Sequence, residues 1–380
     1  MTSEVHSESN CVVVSITTRN QLYRTRVLMR GVAEFLPRAR RVVYCADPLH
    51  GSFDPACEDF EPISVTELGL PRFRQFAFTL SATALCCALK PQIALHALRK
   101  FAPSTLIYFD NDIALYRTPT ELLALASDHD LVLTPHLLEP LPDGATPDHG
   151  TIRNCGTFNA GVIGVCNTPA SQGFLRWWAT MVSDPRNLRM ESGYDQCWLD
   201  LAPSFIEHFA VLRHPGYNVA AWNLPSRALT QDDCLRAGGV PLTLFHFSCF
   251  NEAEPKRLVL AHTSSYEPTP VVSRLAEDYA RRLMTAGATV CKTWPYGFAR
   301  KQNGELIIPA ERNAVARLPS ELVPIECDFF DPTWHEKYPA LWNQVNALAA
   351  NKAALPRRVL NSVRTLFGSS AAAENIPARQ

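Results

Sequence analysis

Ser104-Thr-Leu-Ile-Tyr-Phe-Asp-Asn-Asp112 is the stretch on which the fold turns. Its first six residues have the β-branched and aromatic content of a buried strand, and two carboxylates, Asp110 and Asp112, follow where that strand ends. In open α/β sheets the ligand crevice lies outside the C-terminal ends of the strands, so this is a favourable place for chemistry. Two carboxylates one residue apart, in a loop, can grip a divalent ion whose other ligands are phosphate oxygens. Alone the pattern is weak, because Asp and Asn also serve turns that need irregular dihedrals. The flanking sequence has to decide between the two readings.

Working outward, residues 11–16 form a valine-rich run that reads as a buried strand, 22–35 as a helix and 41–46 as a second strand. Strand, helix, strand is the alternation that builds a parallel sheet with helices on its faces. The spacing predicts a helix over 81–101, interrupted at Lys90-Pro91, and further strands at 131–134 and 161–165. Between them the Pro- and Asp-containing loop 139–150 is long enough to be a lid. Helices are expected from Phe174 to about 183 and over 194–201, and a poorly alternating apolar strand over 242–247 carries His246. A lone buried His is more often a core residue than a ligand, but its neutral imidazole suits manganese in a mixed nitrogen and oxygen site.

The organisation read from this pattern is a disordered start over 1–10, a nucleotide-binding α/β domain over 11–265, and an appendage over 266–350. The appendage is expected to hold an amphipathic helix near 271–286 and a hairpin at Asn303-Gly304. Residues 351–380 should be a basic amphipathic helix and a disordered tail. Lys352, Arg357, Arg358 and Arg364 interleave with apolar residues there, so 350–367 has two readings, a helix lying on an anionic membrane surface or a solvated helix.

Composition narrows the class. Of 380 residues, 47% are hydrophobic and 19% charged, and the formal net charge is -1, which leaves no overall basic field for a nucleic-acid partner. The first ten residues read as neither secretory signal nor anchor, and no apolar run reaches the roughly 20 residues that span a bilayer. The twelve cysteines are scattered without a C-x-x-C pair. That favours reduced thiols in a cytoplasmic enzyme, with the inner face of the membrane as the alternative location, and disfavours zinc.

Six blocks occur in order: Ala88-Leu-Lys-Pro, Ile107-Tyr-Phe-Asp-Asn-Asp-Ile, Phe158-Asn-Ala-Gly-Val, Gly193-Tyr-Asp-Gln-Cys-Trp-Leu-Asp-Leu, Pro215-Gly-Tyr-Asn-Val-Ala-Ala-Trp-Asn and Phe245-His-Phe-Ser. Together they resemble a bacterial glycosyltransferase group related to family 8, the family of glycogenin and the lipopolysaccharide galactosyltransferases, over about residues 11–300. The resemblance implies a GT-A fold, a Rossmann-like mixed sheet flanked by helices. It also implies transfer of a hexose-like sugar from a nucleotide-diphosphate sugar, UDP-linked by preference, to a glycan, lipid-linked or protein acceptor, with retention of configuration.

Residue by residue, the resemblance implies that Asp110, Asp112 and His246 hold manganese, with magnesium as the alternative. Asp110 and Lys90 would contact the donor, and Asn159 would hold donor-sugar hydroxyls, with Gly161 permitting close backbone approach. Asp195 and Gln196 would lie under the anomeric carbon as the catalytic pair. Thr17 and Tyr23 would flank the nucleoside, Tyr23 by stacking on the base. Members of the group follow the late histidine with a glycine and a Lys-Pro-Trp run that reaches the diphosphate. Here Phe-Ser-Cys-Phe-Asn-Glu follows His246, and Lys256 is the first cation.

Other readings stay open at this level. Asp195 could serve as general base in an inverting transferase, and the chain could be a sugar-nucleotide-binding module without activity. A metal-dependent nucleotidyl or phosphoryl transferase has less support, since no G-x-x-x-x-G-K-[ST] loop is present.

Overall fold

A computed structural model of the chain describes residues 10–51, 53–188, 193–255 and 268–350. The expected basic segment and tail at 351–380, most of the expected disordered start, and Lys256 lie outside them.

The centre is a seven-stranded mixed sheet. Its strands are β1 (Cys11–Thr17), β2 (Arg40–Cys45), β3 (Glu61–Ser64), β4 (Thr105–Phe109), β6 (Leu131–Pro135), β7 (Phe158–Cys166) and β8 (Phe209–Val211), in the order β3-β2-β1-β4-β7-β6-β8. β3, β2, β1 and β4 run parallel, whereas β7 is antiparallel to both β4 and β6. A second sheet places β13 (Leu244–His246) between β5 (Ile113–Leu115) and β9 (Val219–Ala220). A small antiparallel meander, β10 (Leu229–Gln231), β11 (Leu235–Ala237) and β12 (Val240–Pro241), completes the strands. This is the mixed α/β class expected from the sequence.

Alternation along β1 explains the layering. Val12, Val14 and Ile16 face one core with helices Ala82–Phe101 and Pro169–Val182, while Cys11 and Val13 face another with helices Leu22–Phe35, Thr120–Asp128 and Pro270–Thr285. Both faces are covered, which is why β1 reads as an unbroken apolar run. Residues beyond 268 are part of these cores: Phe298, Val315, Phe329 and Trp334 join the first, and Leu275, Tyr279 and Leu283 the second. Around Asn303-Gly304 the chain makes a tight turn closed by an Arg300–Leu306 bridge.

Two local expectations are corrected. Lys90-Pro91 does not interrupt its helix, which runs unbroken over Ala82–Phe101 with Pro91 inside. An interior proline costs about 3 kcal/mol, and the burial of Leu85, Leu89 and Ile93 on the same helix offsets it. The helix expected over 194–201 is instead a tighter 3-10 segment, Gln196–Leu201.

Candidate active site

Three strand connections converge at one end of the sheet. Asp110 directly follows β4, and its backbone N–H donates to the Gly161 carbonyl at 2.9 Å, so β7 holds the turn that starts there. β5 continues from that turn and pairs antiparallel with β13, His246 opposite Ile113, while the Phe247 N–H donates to the Asp112 carbonyl at 2.8 Å. This register carries the histidine to the carboxylates. His246 Nε2 lies 3.1 Å from Asp112 Oδ1 and 3.9 Å from Asp110 Oδ2, and one ligand atom from each of the three residues lies within 4.8 Å of the others. Donors bound at about 2.1 Å around one ion stand roughly 3–4 Å apart, so a divalent cation fits. Burial works against the Asp112 charge, but His246 and then Arg24 bring its pKa down to about 2, leaving an ionised ligand at neutral pH.

Behind the carboxylates stands Lys90. It is buried on helix Ala82–Phe101, with Nζ 3.1 Å from Asp110 Oδ1 and 3.6 Å from Asp195 Oδ2, and it donates to the Ala160 carbonyl at 3.2 Å. Burial alone would discharge it, yet Asp110 and Asp195 raise its pKa above the usual lysine value. Burial pushes the Asp195 carboxyl up to about 6 despite Lys90. Asp195 is fixed by a turn in which Gly193 and Tyr194 take φ of 66° and 60°, and by Trp178, whose indole N–H donates to its carbonyl at 3.1 Å. Glycine is required at 193, because a Cβ there would stand 2.5 Å from Gln196 Nε2 and 2.8 Å from the Cys155 carbonyl. Tyr108 donates its hydroxyl to Asp110 Oδ1 at 2.6 Å.

A buried amide network links the two halves of the site. β6 and β7 lose register between Leu133 and Thr134, and this irregularity bends β7 where Asn159 and Gly161 sit. Asn159 Oδ1 accepts from the Gly161 N–H at 3.0 Å and from Asn218 Nδ2 at 3.2 Å. Its Nδ2 donates to Gln196 Oε1 at 3.2 Å and faces His136 Nε2 at 3.4 Å. Asn159 was expected to hold donor hydroxyls, but its hydrogen-bonding positions are taken by protein partners, so in this structure it braces Gln196 and Asn218.

The first-strand expectations divide. Thr17 ends β1 in a buried position, donating to the Thr18 carbonyl at 3.1 Å and accepting from Asn111 Nδ2 at 3.3 Å, which ties it to the Asp110–Asp112 turn. Tyr23 does not offer a stacking face: its ring is 1% exposed within the second core and its hydroxyl donates to Glu252 Oε1 at 3.0 Å. The cause is its place on the buried stripe of helix Leu22–Phe35, with Leu22 and Val27.

Several residues at the site were not read from the sequence. Arg24 donates to the Phe250 carbonyl at 2.6 Å and lies 3.7 Å from Glu252, to which Lys292 also pairs, so two cations share one carboxylate, and Arg24 also interacts with the charge of Asp112. Asp47, just past β2, accepts the N–H groups of Arg19 at 2.8 Å and Gly297 at 2.7 Å. A carboxylate after an apolar strand was the signal followed at Asp110, and it holds for Asp47 too. Asn218 stands in a quoted block but was given no role.

No family model matches the chain, and no curated protein matches it. Among solved structures it is similar to the galactosyltransferase LgtC in complex with donor and acceptor sugar analogues, at 15% identity over 72% of this chain and 95% of that one, TM-score 0.45. It is also similar to the glycosyltransferase GlyE of Streptococcus pneumoniae, at 12% identity over 74% and 64%, TM-score 0.42. Mouse xyloside xylosyltransferase 1 gives 12% identity over 62% and 97%, TM-score 0.37. These likenesses are distant, and the chain's own residues carry the functional reading.

Proposed function

We propose that this chain is a metal-dependent glycosyltransferase that moves a sugar from a nucleotide-diphosphate sugar, UDP-linked by preference, to a glycan, lipid-linked or protein acceptor. The observation that carries this reading is the convergence of Asp110, Asp112 and His246 at the C-terminal edge of the parallel strands, with the Lys90–Asp195 pair directly behind. Manganese suits two carboxylates and one imidazole, with magnesium as the alternative. When bound, the ion supplies Lewis-acid neutralisation of the diphosphate as the glycosidic bond breaks.

The chain's own residues then have distinct tasks. Asp110, Asp112 and His246 would hold the ion, and Lys90 keeps Asp110 and Asp195 in place through its ion pairs with both. Asp195 and Gln196 lie under the anomeric carbon and steady positive charge developing there. Asp195 is 1% exposed and paired to Lys90, so it is poorly presented as a general base toward an acceptor. Retention is the outcome proposed, as the family resemblance implies. Leu141 of the 139–150 loop packs with Trp222, whose ring makes a T-shaped contact with His246, so this loop is placed to cover the donor.

The test is a hydrolysis and transfer screen of nucleotide sugars with manganese, read by chromatography of released nucleoside diphosphate and by anomeric proton signals of the product. Slow turnover of one donor, lost in Asp112→Ala, supports the reading. Binding of a donor without turnover, with or without acceptor candidates, would favour an inactive sugar-nucleotide-binding module.

A further inference from the structure

We infer that Asn218 is the positioning residue that decides which nitrogen of His246 faces Asp110 and Asp112: Nδ1 carries the proton and Nε2 is the ligand atom. The inference rests on reading Asp110, Asp112 and His246 as a metal centre, and it adds a residue to which no role has been assigned.

The starting point is a donor that cannot be misassigned. The backbone N–H of Gly161 points at the Asn159 side chain at 3.0 Å, so the atom receiving it is the amide oxygen, Oδ1. That same oxygen lies 3.2 Å from the Asn218 side chain, so the Asn218 atom facing it is the amide nitrogen. The other hydrogen of this nitrogen goes to Thr134 Oγ1 at 3.2 Å. Asn218 therefore turns its oxygen toward His246, 3.1 Å from Nδ1. An amide oxygen only accepts, so Nδ1 must be the protonated nitrogen. That leaves Nε2 as the nitrogen facing the two carboxylates, within hydrogen-bond distance of Asp112 and free to serve as the ligand atom once an ion takes the place of its proton.

A second fixed donor agrees with this assignment. The Ala160 N–H points at Gln196 Oε1 at 3.3 Å, and Asn159 Nδ2 donates to the same oxygen. His136 closes the far end: its Nδ1 sits 2.8 Å from the Gly156 carbonyl and must donate, which leaves Nε2 facing the Asn159 NH₂. Burial lowers the His136 pKa to about 4, so that ring is neutral, as this pattern needs. The whole set is buried, Asn218 fully, which leaves water no route to replace a partner. Asn218 also has a backbone reason to be asparagine, since its φ of 49° is left-handed. Partners of this kind orient metal-binding histidines, and their loss weakens metal affinity about 10–100-fold.

The first test needs no variant. In metal-free chain labelled with ¹⁵N-histidine, long-range ¹H–¹⁵N correlations, assigned against His246→Gln, should show His246 protonated at Nδ1. A ring protonated at Nε2 with Nδ1 bare overturns the inference. The second test titrates Mn²⁺ alone, followed by electron paramagnetic resonance. Asn218→Gly, which tolerates the left-handed backbone, should bind roughly 10–100-fold more weakly. Asn218→Asp, which keeps an acceptor for Nδ1–H, should stay within a few-fold of the native chain. Native affinity in a folded Asn218→Gly chain also overturns the inference. Neither test uses a sugar donor, so failure of the glycosyltransferase reading leaves both results interpretable. If the native chain binds no Mn²⁺, the metal-centre reading fails while the nitrogen assignment is still decided by the labelled ring.

Discussion

A Cβ placed on Gly161 would stand 2.6 Å from Cε1 of His246 and 2.9 Å from its Nδ1. The glycine that the sequence offered as room for close backbone approach is, in the structure, room for the His246 imidazole, which also makes a T-shaped contact with Trp222. Gly161→Ala should therefore push the ring away from Asp112, weakening Mn²⁺ binding about tenfold or more and lowering stability by about 1–3 kcal/mol through overpacking. Paramagnetic titration and denaturant melts on the same preparation check both effects.

Removing Lys90 leaves Asp195 buried without its cation. Lys90→Met is expected to lose about 3–5 kcal/mol of stability at neutral pH. The loss should shrink in acid, because the Asp195 carboxyl, raised by burial, takes up a proton there and no longer needs a partner. Chemical denaturation at mildly acidic and mildly alkaline pH tests this; an equal loss at both would count against the buried pair.

Asp47 gives a pH dependence of definite sign. Its pKa is pushed by burial from 3.8 to about 6, so between these values the folded chain binds more protons than the unfolded one. Stability from this group is present at low pH and declines as pH rises through about 6, by up to about 3 kcal/mol. The difference in unfolding free energy between the native chain and Asp47→Asn, followed across this range, should fall with rising pH. A flat difference would show that Asp47 ionises normally.

Arg312 locks the C-terminal part onto the sheet core. It is buried, and its guanidinium donates to the carbonyls of Phe78 at 2.6 Å, Leu80 at 3.0 Å and Phe298. Arg312→Leu should cost about 2–4 kcal/mol, since several carbonyls lose a charged donor together. Hydrogen exchange should show faster opening both near residues 77–80 and near 298.

What the sequence made legible was local. The strand before Asp110, the helix Leu22–Phe35 and the strand at 131–134 announce themselves by short-range pattern, and the two carboxylates follow from their place after a strand. The approach of His246 is not local. It depends on β13 lying between β5 and β9, a pairing between distant segments that no spacing encodes. Tyr23 was misread although the signal was present, because the buried stripe of its helix already included it. Asn159 was found by pattern, but its use of every hydrogen-bonding position in bracing neighbours emerges only from the packed amide network.

The most direct test of the metal-dependent donor site is calorimetric titration of the native chain and Asp112→Asn with UDP, in manganese and in chelator. The account predicts binding by the native chain that needs manganese and is lost in the variant. Equal affinity in chelator, or unchanged binding by Asp112→Asn, would contradict it.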